Sequence, residues 1–228
     1  MSFTRLSVVT PPPVKPITLQ DCYGQLRLDP SGSPPTHPDD AMLNRLISAA
    51  TDYAEQATRR ALVKQDVKLT YKRFPNDRYH FRAQETLWSE PGDYDMRPRH
   101  ITLLRPNLLS VPSDGTLVQY YDQQNVLQKL DPTTYLLHVD TEPATIELLM
   151  GFFWPITYLR EDAVVLNYTA GYAPVGSPPD YRANIPDGIK QGMLLHVQRQ
   201  YDVMPVDRYK QMSDAIDDLI APFKAHSF

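Results

Sequence analysis

Residues 39–71 read DDAMLNRLISAATDYAEQATRRALVKQDVKLTY, and the hydrophobic period changes inside them. Leu43, Leu46, Ile47, Ala50, Tyr53, Ala54, Ala57 and Ala61 recur at steps of three and four, one face of a long helix. Asp39 and Asp40 stand in its first turn, where the helix dipole favours negative charge. The alanines at 49, 50, 54 and 57 leave room for a second helix to approach closely. From Val63 the period drops to two: Val67, Leu69 and Tyr71 alternate with Lys68, Thr70 and Lys72, which predicts a half-exposed strand. A helical segment therefore hands over to a β segment near Val63.

On the N-terminal side, the chain through Pro16 is proline-rich and is expected to be an extended arm. Thr18 is placed to cap a short helix, with Asp21 in the capping-box position and Leu19, Cys22, Tyr23 and Leu26 on one stripe. Pro30–Pro38 then breaks the chain. On the C-terminal side, Pro75-Asn76-Asp77 predicts a turn and Tyr79–Trp88 a returning strand. Further strands are expected at Ile101–Leu104, Leu117–Tyr121, Tyr135–Val139, Ile146–Leu149 and Val164–Thr169, with a turn at Asp114-Gly115 and an end at Gly171. Tyr172–Pro186 is a second proline-rich connection. Asp187 is read as the cap of a helix with Ile189, Met193, Val197 and Tyr201 on its stripe and Leu194 beside it. Pro205 interrupts, and a last helix from about Asp207 carries Tyr209, Met212, Ile216, Leu219, Ile220 and Phe223. No internal repeat or low-complexity tract stands out. The expected fold class is α+β: a helical core from both chain ends (18–62 and 187–228) with an inserted antiparallel β domain (63–172). An extended arm (1–17) and a proline-rich connector (173–186) complete the division.

The 228 residues suffice for one large domain or two small ones. Twenty-two prolines against nine glycines point to stiff connections. The longest apolar stretch, Ile146–Tyr158, is interrupted by Glu147, Gly151 and Pro155, so no membrane span is expected. Met1–Val9 has one arginine and no apolar h-region, so no secretory signal is expected either. Cys22 is the single cysteine, which excludes an intrachain disulfide and multi-cysteine metal sites and fits assembly in a reducing cytoplasm. The net charge of −4 argues against dominant phosphate binding. The charge is uneven: residues 63–105 hold 9 basic and 6 acidic side chains, residues 106–162 hold 2 and 8.

Catalytic motifs are absent. The six histidines are scattered, with no HExxH, and His196 borders a helix stripe as a contact residue. Asp214, Asp217 and Asp218 share one helix face, which reads as a solvated acidic surface. There is no GxSxG, GxGxxG or GxxxxGK[ST]. Cys22 sits on an apolar stripe as a small buried hydrophobe. Neither a metal nor an organic cofactor is expected. Two alternatives stay open. Asp140, Glu142 and Glu147 could supply a carboxylate pair for a virion-associated hydrolase. The 68–82 segment interleaves basic residues with Tyr71, Phe74, Tyr79 and Phe81 and could grip DNA during packaging, although a plain hairpin with aromatic cross-strand pairs and charged edges is the preferred reading given the negative net charge.

The order of motifs carries a resemblance. TLQDCYGQLRLD (18–29) precedes Asp39-Asp40 and the alanine-rich helix, which ends in RALVKQDV (60–67) and runs to Arg73-Phe74-Pro75. ITLLRP (101–106), Leu109-Ser-Val111, Tyr120-Tyr-Asp122, Trp154-Pro155, VVLNYTAGY (164–172) and IPDGIKQ (185–191) follow. From about residue 16 to 202 this is similar to the phage head–tail connector family, often labelled a possible DNA-packaging protein. The Pro30–Pro38 spacer and Arg78–Pro98 depart from the family pattern, and the tail after Tyr201 matches least. The resemblance implies a non-enzymatic adaptor in the virion neck. It would form a homo-oligomeric, typically dodecameric, ring beneath the portal protein, joined to the next neck or tail protein, with DNA passing through unbound. It favours a docking role for the C-terminal stripe Tyr209, Met212, Ile216, Leu219, Ile220 and Phe223 over burial in the chain's own core. It also suits a lumen-facing place for Asp214, Asp217 and Asp218, where like charge would keep DNA from sticking.

Overall fold

The computed structural model describes residues 3–75 and 100–225 and is α+β. The expected return strand Tyr79–Trp88, the extension Arg78–Pro98 and two histidines, His80 and His226, lie outside the described residues. The chain divides into two units, each drawn from non-contiguous segments. A helical unit comprises Pro11–Gln65, Arg105–Leu109 and Ala170–Phe228; a β unit comprises Met1–Thr10, Asp66–Leu104 and Ser110–Thr169.

In the helical unit, α1 (Leu19–Leu26) opens with the expected capping box. Thr18 Oγ1 accepts from the Asp21 amide at 3.1 Å, and Asp21 Oδ2 accepts from the Thr18 amide at 2.7 Å. Helix α2 (Asp40–Thr58) buries Leu43, Ile47, Ala50 and Ala54, and α3 (Asp187–Tyr201) buries Ile189, Met193 and Val197. These side chains share one core with Ile17, Cys22, Tyr23, Leu62, Val63 and Ile185. Burial pushes the Cys22 thiol up to about 11, so its thiolate is suppressed, as for a packing residue. Asp187 is not the cap of α3: Pro186 holds that position, and no side chain caps the helix. The fixed φ and missing amide of proline suit a helix entrance, so the asparagine-or-aspartate rule misplaced this boundary by one residue. Gly171, at φ +128, passes so close to the backbone of Val63 and Lys64 that a Cβ would stand 2.6 Å from it.

Helix α4 (Val206–Ile220), continued by a 3-10 turn at Ala221–Phe223, packs on α3. Two glycines permit it. A Cβ at Gly192 would meet Ile220 Cγ1 at 3.0 Å, and one at Gly188 would meet the Phe223 ring at 2.9 Å.

A short internal repeat also emerges. PSGSPPT (30–36) and PVGSPPD (174–180) fold alike: Ser31 pairs with Thr36 and Val175 with Asp180 as isolated antiparallel bridges, each across a four-residue turn. Seven residues among prolines look like ordinary spacer composition, which is why the repeat escapes a reading by composition.

The strands form a sheet ordered β1-β2-β9-β5-β6, with β4 also against β9, and a three-stranded sheet ordered β3-β8-β7. The strands are β1 (Phe3–Thr10), β2 (Gln65–Tyr71), β3 (His100–Thr102), β4 (Leu108–Ser110), β5 (Val118–Tyr121), β6 (Leu127–Lys129), β7 (Tyr135–His138), β8 (Thr145–Leu148) and β9 (Val164–Ala170). The expected extended arm is corrected here, because residues 3–10 pair antiparallel with β2 from Leu6↔Leu69 to Thr10↔Asp66. Strand β9 is buried along most of its length, as its Val/Leu run requires, and β2 is more buried than the half-exposed strand its alternation predicts, because it lies between β1 and β9. Strand β6 is exposed throughout, an edge with no hydrophobic alternation to announce it. Among the described residues no helix is long and apolar enough to cross a membrane.

Candidate interaction surfaces

The acidic and apolar faces of α4 have different fates. Ile216 and Ile220 are fully buried within the helical unit, and Met212, Leu219 and Phe223 are half-buried. The docking expectation is corrected for Ile216 and Ile220: packing on α3 already removes them from water. The end of the helix is tied down as well, since Arg60 Nε donates to the Phe223 carbonyl at 2.8 Å and the Ala225 amide to the Thr58 carbonyl at 2.9 Å. Tyr209 remains 42 % exposed, with the Arg199 guanidinium 5.0 Å above its ring. Asp214, Asp217 and Asp218 are all exposed. Asp217 accepts from the Tyr53 hydroxyl at 2.6 Å, and burial together with that bond pushes the hydroxyl up to about 12, so it stays a donor.

Behind this face, His196 is buried and stacks on Tyr53 with ring centroids 4.8 Å apart. Burial, with Arg199 nearby, lowers its proton affinity. It is the helix-contact residue the stripe suggests. Among the described residues no group of three or more His, Cys, Asp or Glu side chains is arranged to hold a metal ion.

A second polar cluster holds the returning segment 105–109. The Glu55 carboxylate accepts from the Leu62 amide at 3.0 Å and from Gln65 Nε2 at 3.2 Å, with Arg105 at 3.6 Å. Arg105 also donates to the Arg60 carbonyl at 3.2 Å, and Arg60 donates to Asn107 Oδ1 at 2.6 Å. Burial raises the Glu55 carboxyl, while these donors oppose the shift. Arg105 and Asn107 both take left-handed backbone (φ +66 and +70), so this ITLLRP-N corner is a structural clip.

In the β unit two of the four aromatics of the 68–82 segment are interior. Tyr71 and Phe74 are buried, 4 % and 2 % exposed, and Phe74 stacks on Trp154 at 4.8 Å, so neither is free to stack on a base. Tyr79 and Phe81, the other two aromatics of that segment, lie outside the described residues. Asp140, Glu142 and Glu147 all stand in solvent, and Glu147 pairs with His138 at 2.8 Å.

What sequence reading missed is the apolar segment after β8. Met150 is 88 % exposed, Phe153 67 % and Leu159 95 %, with Phe152, Ile156 and Tyr158 between 40 and 44 %. Trp154 is buried and anchors the segment through Phe74, while the Tyr158 amide donates to the Tyr121 carbonyl at 2.9 Å. The signal is the apolar run Ile146–Tyr158 itself, whose first residues read as a strand and whose remainder carries no periodicity that separates buried from exposed positions.

No protein-family model matches the chain, and no curated protein sequence does. Solved structures do share its fold. A chain from the neck of an empty gene transfer agent particle, computed with sixfold symmetry, superposes with a TM-score of 0.69 at 18 % identity, covering 98 % of this chain and 97 % of that one. A chain from the virion of a native gene transfer agent particle gives 0.65 at 18 % identity, covering 98 % and 96 %. One from the neck of the native particle, computed with twelvefold symmetry, gives 0.63 at 17 % identity, covering 98 % and 97 %.

Proposed function

We propose that this chain is a structural component of the neck of a tailed-phage-like particle, a head–tail connector rather than an enzyme. The observation that carries the reading is likeness over nearly the whole chain, in both directions, to chains found in particle necks. Both units are matched together, so the likeness extends beyond a common helical bundle or sheet. In this reading copies form a homo-oligomeric ring, a dodecamer, between the portal protein and the next neck or tail protein, and DNA passes through. Rings close when two different patches of one chain meet repeatedly around an axis. Asp214 and Asp218 would face the channel, where negative charge repels the DNA phosphates.

Imaging of particles carrying a tagged copy of the chain tests this. The expected result is a ring of density at the head–tail junction, and unjoined heads and tails when the chain is deleted. Density in the capsid shell, a tail fibre or a baseplate would overturn it.

A further inference from the structure

Strands β1 and β2 have unequal claims on each other. Among the described residues β1 lies at the edge of its sheet and pairs with β2 alone, while β2 also pairs with β9. In β2, Val67, Leu69 and Tyr71 are 2, 0 and 4 % exposed, and backbone groups at such depth need partners. In β1 none of residues 5–10 is buried: Leu6 and Ser7 are half-buried, and the rest are exposed. What holds β1 is the ladder Arg5↔Thr70, Leu6↔Leu69, Ser7↔Lys68 and Val8↔Val67, with a register shift at either end. Two side chains follow it, Ser7 Oγ donating to the Lys68 carbonyl at 3.3 Å and Thr70 Oγ1 to the Arg5 carbonyl at 3.2 Å. Strand β2 requires a strand beside it, and β1 meets that need with backbone bonds and almost no side-chain packing.

The division between the two units falls between Thr10 and Pro11. Pro11, Pro12 and Pro13 follow, all exposed and with no amide to bond into a helix or a sheet. The helical unit holds the chain from Val14, which packs on its core, and Lys15, whose carbonyl accepts from Arg182 Nε at 2.7 Å. Three consecutive prolines make a stiff spacer, about 9 Å long when extended at ~3.1 Å per residue. Strand β1 therefore stands at the end of a stiff hinge, and its bonds are ones that an identical strand makes equally well.

We infer that β1 is an exchangeable arm: in the assembled protein it leaves its own β2 and completes the β2 edge of a second copy of this chain. The ladder itself names the occupant, since the same segment of another copy reproduces the register and both side-chain bonds. Exchange keeps every pair, and passing an identical element between protomers is a low-cost route to association. A short, stiff hinge favours it, because bringing the strand back onto its own sheet strains such a hinge. Where copies stand side by side, the neighbour's strand is present at an effective concentration of about a millimolar, which draws the arm across. The inference rests on the ring reading given above, which supplies the adjacent copy. Arm and acceptor edge are different patches, so the contact is heterologous and closes with the ring.

The test mixes two differently tagged full-length chains, one Ser7→Cys and one Lys68→Cys, and oxidises them in assembled particles. Residues directly opposite in an antiparallel pair lie about 4.5–5.5 Å apart at Cα, within disulfide reach. Neither chain holds both new cysteines, so a strand kept on its own sheet cannot close the bond, and the native Cys22 is buried. The expected product is a covalent dimer joining the two tags, lost when either substitution is reverted. A single chain carrying both substitutions shows that the positions can be bridged, and Leu6→Cys with Leu69→Cys repeats the test in the alternate ladder geometry. Rings that assemble while both mixtures stay monomeric overturn the inference and leave the ring reading standing. Particles without any ring at the neck overturn the ring reading. The exchange is then read from the free chains at high concentration, where a monomeric product overturns it and the dimer of the two tags upholds it.

Discussion

The two units solve the burial problem in opposite ways. The helical unit collects side chains from residues 17 to 197 into one core and leaves Val203 and Val206 in water near its C-terminal end. The β unit fills its interior with Ile101, Ile146, Val164 and Leu166, all fully buried, and still leaves Met150, Phe153 and Leu159 in water. Apolar area left exposed is free energy not yet used, roughly 25 cal/mol per Å² on removal from water. The difference lies in where that area sits: at Val203 and Val206, at the start of α4, in the helical unit, and along the segment after β8 in the β unit.

The largest expected effect breaks that comparison if it fails. Deleting residues 204–228 removes Ile216 and Ile220 from the α3 face, and each buried isoleucine contributes about 1.5–3 kcal/mol. The truncated chain should lose roughly 3–6 kcal/mol in a urea titration of the helical unit. An unchanged midpoint would return α4 to the role of a docking arm.

Next in size is a matched pair of substitutions. Ile47→Ala, in the shared core, should cost about 2–5 kcal/mol. Leu159→Ser, at 95 % exposure, should stay within about 0.5 kcal/mol of the parent and reduce self-association. Thermal melting and sedimentation of both variants check it; equal costs would mean that the strip is packed in solution.

A smaller effect concerns pH. Burial keeps His196 neutral in the folded state, whereas the unfolded chain accepts a proton near the ordinary value of 6.5. The unfolded state therefore binds more protons in acid, so stability is held above that value and falls as pH drops through it. His196→Phe retains the stack on Tyr53 and removes the titration. Its melting temperature should decline less than the parent's between pH 7 and pH 5, about the range over which a histidine titrates.

The smallest expected change is at the first helix. Thr18→Ala deletes a capping oxygen and should cost about 1 kcal/mol in chemical denaturation, while Thr18→Ser should restore most of it. Loss of more than this would show that the cap also fixes the path of Ile17 into the core.

Much of this architecture was legible before any coordinates. The change of period near Val63 located the passage from α2 to β2, and the stripes of α2 and α3 named the core residues. The Thr18–Asp21 box named its own geometry, because capping depends only on residues three apart. Local periodicity carries this information since it reflects which face of an element meets apolar neighbours. Strands β1 and β6 were not legible: β1 has its partner some sixty residues away, as in Leu6↔Leu69, and β6 is exposed throughout. Only the tertiary structure decided between the two destinations of the α4 stripe, because an amphipathic helix advertises that a surface is needed and not whose surface it is. It likewise decided that Tyr71 and Phe74 are interior while Phe153 and Leu159 are not. All four are large apolar side chains in strand-like or irregular sequence, and what separates them is which neighbours the rest of the chain brings to each.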